Sequence, residues 1–148
     1  MSYQVLVHRE KPPAFTPTVV VTGCYCTYQN KFLLLKRALG KPQENTWGVP
    51  AGKLEDHESI SEAIYRETFE ETGIQLIKNQ LQYLGELFVQ YPHVDFVYHL
   101  FHQKFSKLPD VRLSDEHTDY CWVTLEEALD MPLIAGAKEV MQHFNIFI

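Results

Sequence analysis

The pattern of apolar and polar positions divides the chain into β-like runs separated by stretches rich in proline, glycine and charge. Thr18 to Tyr28 is strongly β-forming, and Phe32 to Arg37 follows it across the turn Gln29 to Lys31, so the two runs predict a hairpin. Gly23 inside the first run indicates a bulge or a close approach of another chain segment. The same signals predict further strands at Tyr3 to His8, Leu81 to Gln90, Val94 to Phe105 and Asp119 to Val123.

Helical spacing replaces this alternation at later places in the chain. The longest predicted helix runs from Ser59 to Thr72, contains neither proline nor glycine, and is followed by Gly73, a residue typical of helix ends. Thr124 begins a short helix because Glu127 completes a capping box, and Ala135 to Phe144 forms a last amphipathic helix. This order of strands and helices predicts an α+β fold, in which a mixed sheet packs against helices.

Composition and charge exclude several classes of protein. The chain has 148 residues, of which 45% are hydrophobic and 22% charged, and these are ordinary values for one globular domain. The formal net charge of −6 disfavours duplex nucleic acid and membrane surfaces as partners, because an acidic surface repels phosphate groups. The first ten residues lack the apolar core of a signal peptide, and no run approaches the ~20 residues of a membrane span. These features predict a cytoplasmic protein.

The cysteines support the same compartment. Cys24, Cys26 and Cys121 are too few for a disulfide framework and indicate a reducing environment. Cys24 and Cys26 are two positions apart in a predicted strand, so their side chains point to one face of the sheet. A thiolate metal site needs more partners, and we therefore interpret both residues as buried free thiols.

The longest predicted helix carries carboxylates on the same face as its apolar residues. At about 100° per residue, Glu67 and Glu71 share one helix face, and Glu70 lies at its margin. That face also carries Ile60 and Ile64, so the carboxylates continue the stripe that turns toward the core. Like charges at this spacing repel one another and lose solvation when they face inward. A hard divalent cation resolves both problems, because it prefers several oxygen ligands. The alternative is an exposed acidic helix without a metal ion.

A longer pattern around this helix resembles the signature box of the Nudix hydrolases. The residues that the box fixes are present at its spacing: Gly52, Glu58, Arg66-Glu67, Glu70-Glu71 and Gly73, with Ile74 as the aliphatic residue that follows. Thr68 departs from the box, which has an aliphatic residue there, and the preceding run Trp47 to Gly52 is also similar to the family. The resemblance implies one Nudix domain over residues 1–148, built as an α/β/α sandwich with the box as loop–helix–loop.

The resemblance also implies a metal site. The implied ligands, with Mg²⁺ as the expected ion and Mn²⁺ as the alternative, are the Ala51 carbonyl and the side chains of Glu67, Glu70, Glu71 and Glu116. Arg66 is expected to orient Glu67, and Lys53 is expected to contact the phosphates during catalysis. Glu116, on the loop before the last strand, is the candidate general base, with a solvated loop acid as the other interpretation.

The substrate contacts are less constrained by the box. Glu58 is expected to bind an outer-shell water or to interact with the helix N-terminus. Tyr91 resembles a tyrosine of dinucleoside-polyphosphate members, whereas Pro92 is similar to ADP-ribose members. His117 is either a substrate contact or an inert loop residue. Aromatic residues available for a base are Tyr3, Phe88, Tyr91 and Phe101, and core packing is the alternative for each.

The function predicted from these residues is a metal-dependent pyrophosphohydrolase. It would cleave the diphosphate linkage of an ADP-ribose or ADP-sugar, a dinucleoside polyphosphate or a (d)NTP by attack of water. One alternative is a Nudix-like module that binds a nucleotide without hydrolysis, and another is an RNA-end pyrophosphohydrolase, which the acidic charge disfavours. An unrelated α+β domain with an acidic helix is the remaining interpretation. The expected partner is a small nucleotide, and the sequence leaves a homodimer open.

Overall fold

A computed structural model describes residues 4–144, and in this range the chain forms one mixed eight-stranded sheet with three helices. The strands are β1 (Leu6–His8), β2 (Pro17–Tyr28), β3 (Lys31–Arg37), β4 (Trp47–Gly48), β5 (Ala51–Lys53), β6 (Gln82–Tyr91), β7 (Val94–Phe105) and β8 (His117–Val123). The helices are α1 (Ile60–Thr72), α2 (Leu125–Leu129) and α3 (Ala137–His143). Of these helices, none combines the length and apolar character that crossing a membrane requires.

The sheet is mixed because its two longest strands run in the same direction. Its order is β1-β6-β7-β2-β3-β4, with β5 paired to β2 and β8 paired to β3. The long β2–β7 pair is parallel, and the pairs around it are antiparallel. The central position of β2 brings β5 next to it, so the segment before α1 is anchored to the middle of the sheet.

Helices cover both faces of the sheet, since side chains alternate along each strand. On one face, α1 contributes Ile64 to a cluster with buried residues of β2 and β3: Cys24, Cys26, Leu33 and Leu35. On the other face, α2 and α3 contribute Ala128 and Val140 to a cluster with Tyr25, Phe32 and Leu34. The prediction of an α+β sandwich is therefore confirmed, and Cys24 and Cys26 are buried free thiols.

The box helix begins and ends at the residues that its sequence indicates. Ser59 is the N-cap, and its side chain accepts a hydrogen bond from the Glu62 N–H at 3.0 Å in a capping box. Gly73 ends the helix in the left-handed conformation, with φ of 74°. Thr124 and Glu127 form a second capping box at α2, also as predicted.

Other boundaries differ from the prediction for physical reasons. The last helix begins at Ala137 instead of Ala135. Gly136 has φ of 89°, which lies outside the right-handed helical region, so the helix cannot include it. Segment 47–53, for which the sequence predicted no strand, contains β4 and β5, whose pairing with β3 and β2 depends on contacts that are distant in sequence. Tyr3, predicted to begin the first strand, lies outside the described residues. Gly23 does meet a close approach, since a Cβ atom there would lie 2.8 Å from Cε1 of Tyr98.

Candidate active site

Helix α1 turns its carboxylates toward the sheet to different degrees. Glu71 is buried with 5% exposure, and the Glu67 side chain is 14% exposed, so both lie on the inner face. The Glu70 side chain is 56% exposed, in agreement with its place at the margin of that face. The helical spacing alone therefore brings two of the three box carboxylates to the strand layer.

Gly52 leaves the space that the Glu67 side chain occupies. A Cβ atom at Gly52 would overlap the carboxylate carbon and both carboxylate oxygens of Glu67. Gly52 lies in β5 and pairs with Thr22 of β2, so the sheet holds its backbone in place. The glycine of the box is therefore required by the close approach of the first carboxylate to the strand.

Glu71 is fixed by the backbone of β5. The Ala51 N–H donates a hydrogen bond to its Oε1 atom at 3.0 Å. Burial raises the pKa of Glu71 well above its usual range, and the charges of Glu67 and Glu116 raise it further, whereas the Ala51 N–H and Arg37 oppose the shift. Glu71 is therefore a buried acid with one fixed hydrogen bond and two like charges near it.

Arg66 is the cation that holds the outer carboxylates together. Its Nε and Nη2 atoms donate to the two carboxylate oxygens of Glu58 at 2.7 and 2.9 Å, which is a bidentate pair. Its Nη1 atom lies 2.8 Å from Glu67 Oε1 and 3.3 Å from Glu70 Oε2. The Nη2 atom also donates to the Lys53 carbonyl at 3.1 Å, while the Lys53 side chain is exposed on β5. Arg66 thus orients Glu67 directly, and Glu58 orients Arg66.

Glu116 lies close enough to Glu67 and Glu71 for its charge to act on both. It is exposed and directly precedes β8, and its carbonyl accepts a hydrogen bond from the Ala38 N–H at 2.9 Å. Its charge contributes to the raised pKa of both Glu67 and Glu71. The fold therefore brings a carboxylate near the box helix although about 50 residues of chain separate them.

The carboxylates near α1 have the chemistry that a divalent cation requires, although they are not arranged around one point. In the described range 4–144, no three His, Cys, Asp or Glu side chains are arranged as a ready metal cluster, and Glu67 and Glu70 both point to Arg66 instead. Burial is the first cause of the raised pKa of Glu67, and neighbouring glutamates add to it. Oxygen donors that are desolvated and crowded with like charge are the ligands that Mg²⁺ and Mn²⁺ stabilise. The residues therefore fit such an ion.

A cavity of about 150 Å³ extends from Glu71 between the sheet and the segment before α3. Glu71, Ala51, Arg37 and His117 line its charged end. The rest of its wall is mainly apolar and aromatic, and includes Tyr25, Tyr91, Phe96, Tyr98, Ile134 and Ala135. We call these two parts the charged end and the aromatic end of the cavity.

The sequence found part of this lining and missed the rest. Tyr91 lines the cavity, whereas Phe88 packs edge-on against Phe15 and Phe101 packs against Tyr83. His117 is half-buried at the start of β8 and lines the charged end, and burial lowers its pKa so that the neutral ring is favoured. Arg37, Tyr98 and Ala135 were not predicted, because no local pattern indicates that the pairing of distant segments brings them to one cavity.

Known proteins resemble this chain in both sequence and fold. The family described as NUDIX domain matches residues 17–144. The chain is 42% identical over 62 residues to the uncharacterized Nudix hydrolase YvcI of Bacillus subtilis (strain 168). This match covers 42% of this chain and 37% of that protein. It is 32% identical over 126 residues to the asymmetrical bis(5′-nucleosyl)-tetraphosphatase of Mus musculus, which covers 80% of each. The crystal structure of the MutT protein from Methanosarcina mazei Go1 superposes with a TM-score of 0.75 at 28% identity, covering 86% of this chain and 92% of that one.

Proposed function

Because this chain belongs to the Nudix hydrolase family, we propose that it cleaves the diphosphate linkage of a nucleoside diphosphate derivative with the help of a divalent cation. One observation carries the proposal. The buried Glu71 lines a cavity with aromatic walls, and the largely buried Glu67 and the charge of Glu116 act on Glu71 from close by. A diphosphate needs positive charge at its oxygens, and a nucleobase needs an apolar slot, so a cation at these carboxylates and the aromatic wall suit the two parts of one substrate.

The proposed ligands of the cation are the side chains of Glu67, Glu70, Glu71 and Glu116 and the carbonyl of Ala51. When bound, Mg²⁺ or Mn²⁺ would supply positive charge to the diphosphate oxygens and lower the pKa of water. The Ala51 N–H already holds Oε1 of Glu71, which leaves Oε2 as the proposed ligand atom. Glu70 is the most exposed of the three box carboxylates on α1 and has the most freedom to turn from Arg66.

The other polar residues orient the reacting groups. Arg66 fixes Glu67 by a charge-assisted bond, and the bidentate contact with Glu58 fixes Arg66. We therefore assign Glu58 a positioning role through Arg66, in preference to direct contact with the substrate. Glu116, exposed to solvent beside the buried carboxylates, is the proposed base that accepts a proton from the attacking water. Lys53 is exposed on the neighbouring strand and is the proposed phosphate contact.

The aromatic end is proposed to bind the nucleobase. Tyr91, Phe96 and Tyr98 line the cavity with aromatic rings, and aromatic side chains bind a planar base by stacking. The whole cavity of about 150 Å³ is the size that holds one small aromatic ring, so the base would lie inside it and the diphosphate would lie outside, past Glu71. For a dinucleoside polyphosphate, the second nucleoside would therefore lie outside the cavity.

The proposal is tested by product release from a panel of nucleotides. The panel contains ADP-ribose, ADP-glucose, diadenosine polyphosphates, dGTP, oxidised dGTP and capped RNA, each with Mg²⁺, with Mn²⁺ and with a chelator. We expect turnover of one class of small nucleotide that the chelator abolishes. Nucleotide binding without turnover of any compound would contradict the hydrolase assignment and would favour a binding module.

A further inference from the structure

The side chain of Gln43 connects two parts of the aromatic end that are far apart in sequence. The Ala135 N–H donates to Gln43 Oε1 at 2.7 Å, across 92 residues of chain. Gln43 Nε2 donates to the Tyr91 hydroxyl at 3.4 Å, and that hydroxyl donates to the Ala135 carbonyl at 2.6 Å. These contacts form a closed ring of hydrogen bonds among one loop, the end of β6 and the segment before α3.

The loop that carries Gln43 is held in a specific shape. Gln43 and Asn45 have φ of 55° and 63°, which is uncommon for a residue such as glutamine and more usual for asparagine. The Thr46 hydroxyl donates to the Gln43 carbonyl at 2.6 Å. Further along, Trp47 N–H donates to the Pro132 carbonyl, and its carbonyl accepts from the Ile134 N–H, each at 2.9 Å. The loop and the residue that follows it are thus hydrogen-bonded to the segment before α3 at Gln43 and at Trp47.

Gln43 does not itself line the cavity, whereas Tyr91 and Ala135 do. Any effect of Gln43 on a ligand must therefore pass through these two residues. We propose that Gln43 is a positioning residue, which fixes the Tyr91 ring and the Ala135 peptide in the wall that binds the nucleoside. It sets the affinity for the substrate and takes no part in the phosphate chemistry at the charged end. This inference rests on the proposed function.

The simplest competing explanation is that Gln43 only stabilises the fold. A structural role would lower the stability of every variant and would leave KM of the folded fraction unchanged. A positioning role would change KM with little change in kcat, and a side chain that keeps the acceptor for the Ala135 N–H would restore it. The two explanations therefore differ in the kinetic constants.

The test compares Gln43→Ala, Gln43→Glu and the control Glu44→Ala, with the nucleotide that the wild type hydrolyses best. Glu44 accepts a hydrogen bond from the Gly40 N–H in the same loop, but it makes no contact with the cavity wall. We expect Gln43→Ala to raise KM about tenfold with kcat within about twofold, because a well-aligned hydrogen bond to the wall is lost. Gln43→Glu should recover most of the affinity, and Glu44→Ala should match the wild type.

Binding is measured as well, by calorimetric titration of the same nucleotide with Mg²⁺ in the Glu116→Gln background, in which turnover is expected to be slow. If Gln43→Ala does not fold, Tyr91→Phe replaces it, since it removes both hydroxyl contacts of the ring and should raise KM and Kd in the same direction. A wild-type KM in the Gln43 and Tyr91 variants would overturn the inference and leave the proposed function intact. A wild type that neither binds nor hydrolyses any nucleotide would overturn both.

Discussion

The charged end and the aromatic end of the cavity are built by different means. At the charged end, Glu71 and its neighbour Glu67 come from one turn of α1, and their common direction follows from the helical repeat. At the aromatic end, Gln43, Tyr91 and Ala135 come from three segments that only the folded chain brings together. The first arrangement can be inferred from spacing, whereas the second depends on tertiary contacts.

The two ends also differ in how well their polar groups are satisfied. At the charged end, burial and like charge raise the pKa of Glu71 and of its neighbour Glu67, although the Ala51 N–H and Arg66 oppose these shifts. At the aromatic end, the polar atoms of the Gln43 ring bond one another. We therefore expect changes at the charged end to act on rate and metal binding, and changes at the aromatic end to act on affinity.

The largest effect is expected for Glu67→Gln, and Glu70→Gln should behave similarly. Each substitution should lower kcat by at least on the order of 10²-fold, because a cation ligand is lost. The fold should survive, since glutamine keeps the shape and relieves the desolvation of Glu67. The measurement is kcat with Mg²⁺ beside a thermal melt. Glu62→Gln, on the same helix but outside the site, is the control, and near-normal activity in both test variants would refute the metal assignment.

A smaller loss of rate is expected for Glu116→Gln. Removal of the proposed base should slow turnover by about 10- to 100-fold. Mn²⁺ binding at the box should persist, because Glu67 and Glu71 remain on α1. Steady-state kinetics and calorimetry measure the two quantities on the same sample. An unchanged rate would place the base on another residue.

At the aromatic end, the effects of Gln43→Ala and Tyr91→Phe are expected to be non-additive. Both substitutions open the same ring of hydrogen bonds, so the second has little left to break. The double variant should raise KM by about the same tenfold as Gln43→Ala alone. KM factors that multiply in the double variant would mean that the two residues act independently.

The smallest effect is expected for Thr68→Val, on the core side of α1 and away from both ends. Thr68 is fully buried, and its hydroxyl has no hydrogen-bond partner within the described residues. Valine removes this unsatisfied group and should raise the free energy of unfolding by about 1 kcal/mol, or Tm by about 3 °C. Urea and thermal unfolding measure the change, and kcat should stay at its wild-type value. Destabilisation would show that the Thr68 hydroxyl is satisfied in solution.

The sequence predicted most of the fold and the charged end for a common reason. Strand alternation, the capping boxes and the face shared by Glu67 and Glu71 are local properties, and the structure contains each of them. The wider resemblance to the Nudix family added the expectation that Glu116 belongs with these residues, which spacing within one helix could not supply. Its role in catalysis remains a prediction.

The remaining features depend on contacts between distant segments. Arg37 lines the cavity because β3 pairs with β8, and no pattern around Arg37 indicates this pairing. Ala135 was predicted as the first residue of a helix, but Gly136 is the N-cap and the helix begins after it. The Ala135 peptide instead bonds Gln43 and Tyr91. A glutamine in a polar loop carries no local sign of such a role.

The carboxylates of α1 are expected to bind a divalent cation, and calorimetric titration of Mn²⁺ measures this binding. The wild type, freed of metal by a chelator and dialysed, should bind Mn²⁺, with Mg²⁺ competing for the same site. Glu67→Gln and Glu71→Gln should weaken this binding by more than about tenfold while their melting curves remain cooperative. A wild type that binds neither ion, or variants that bind Mn²⁺ as tightly as the wild type, would contradict the account.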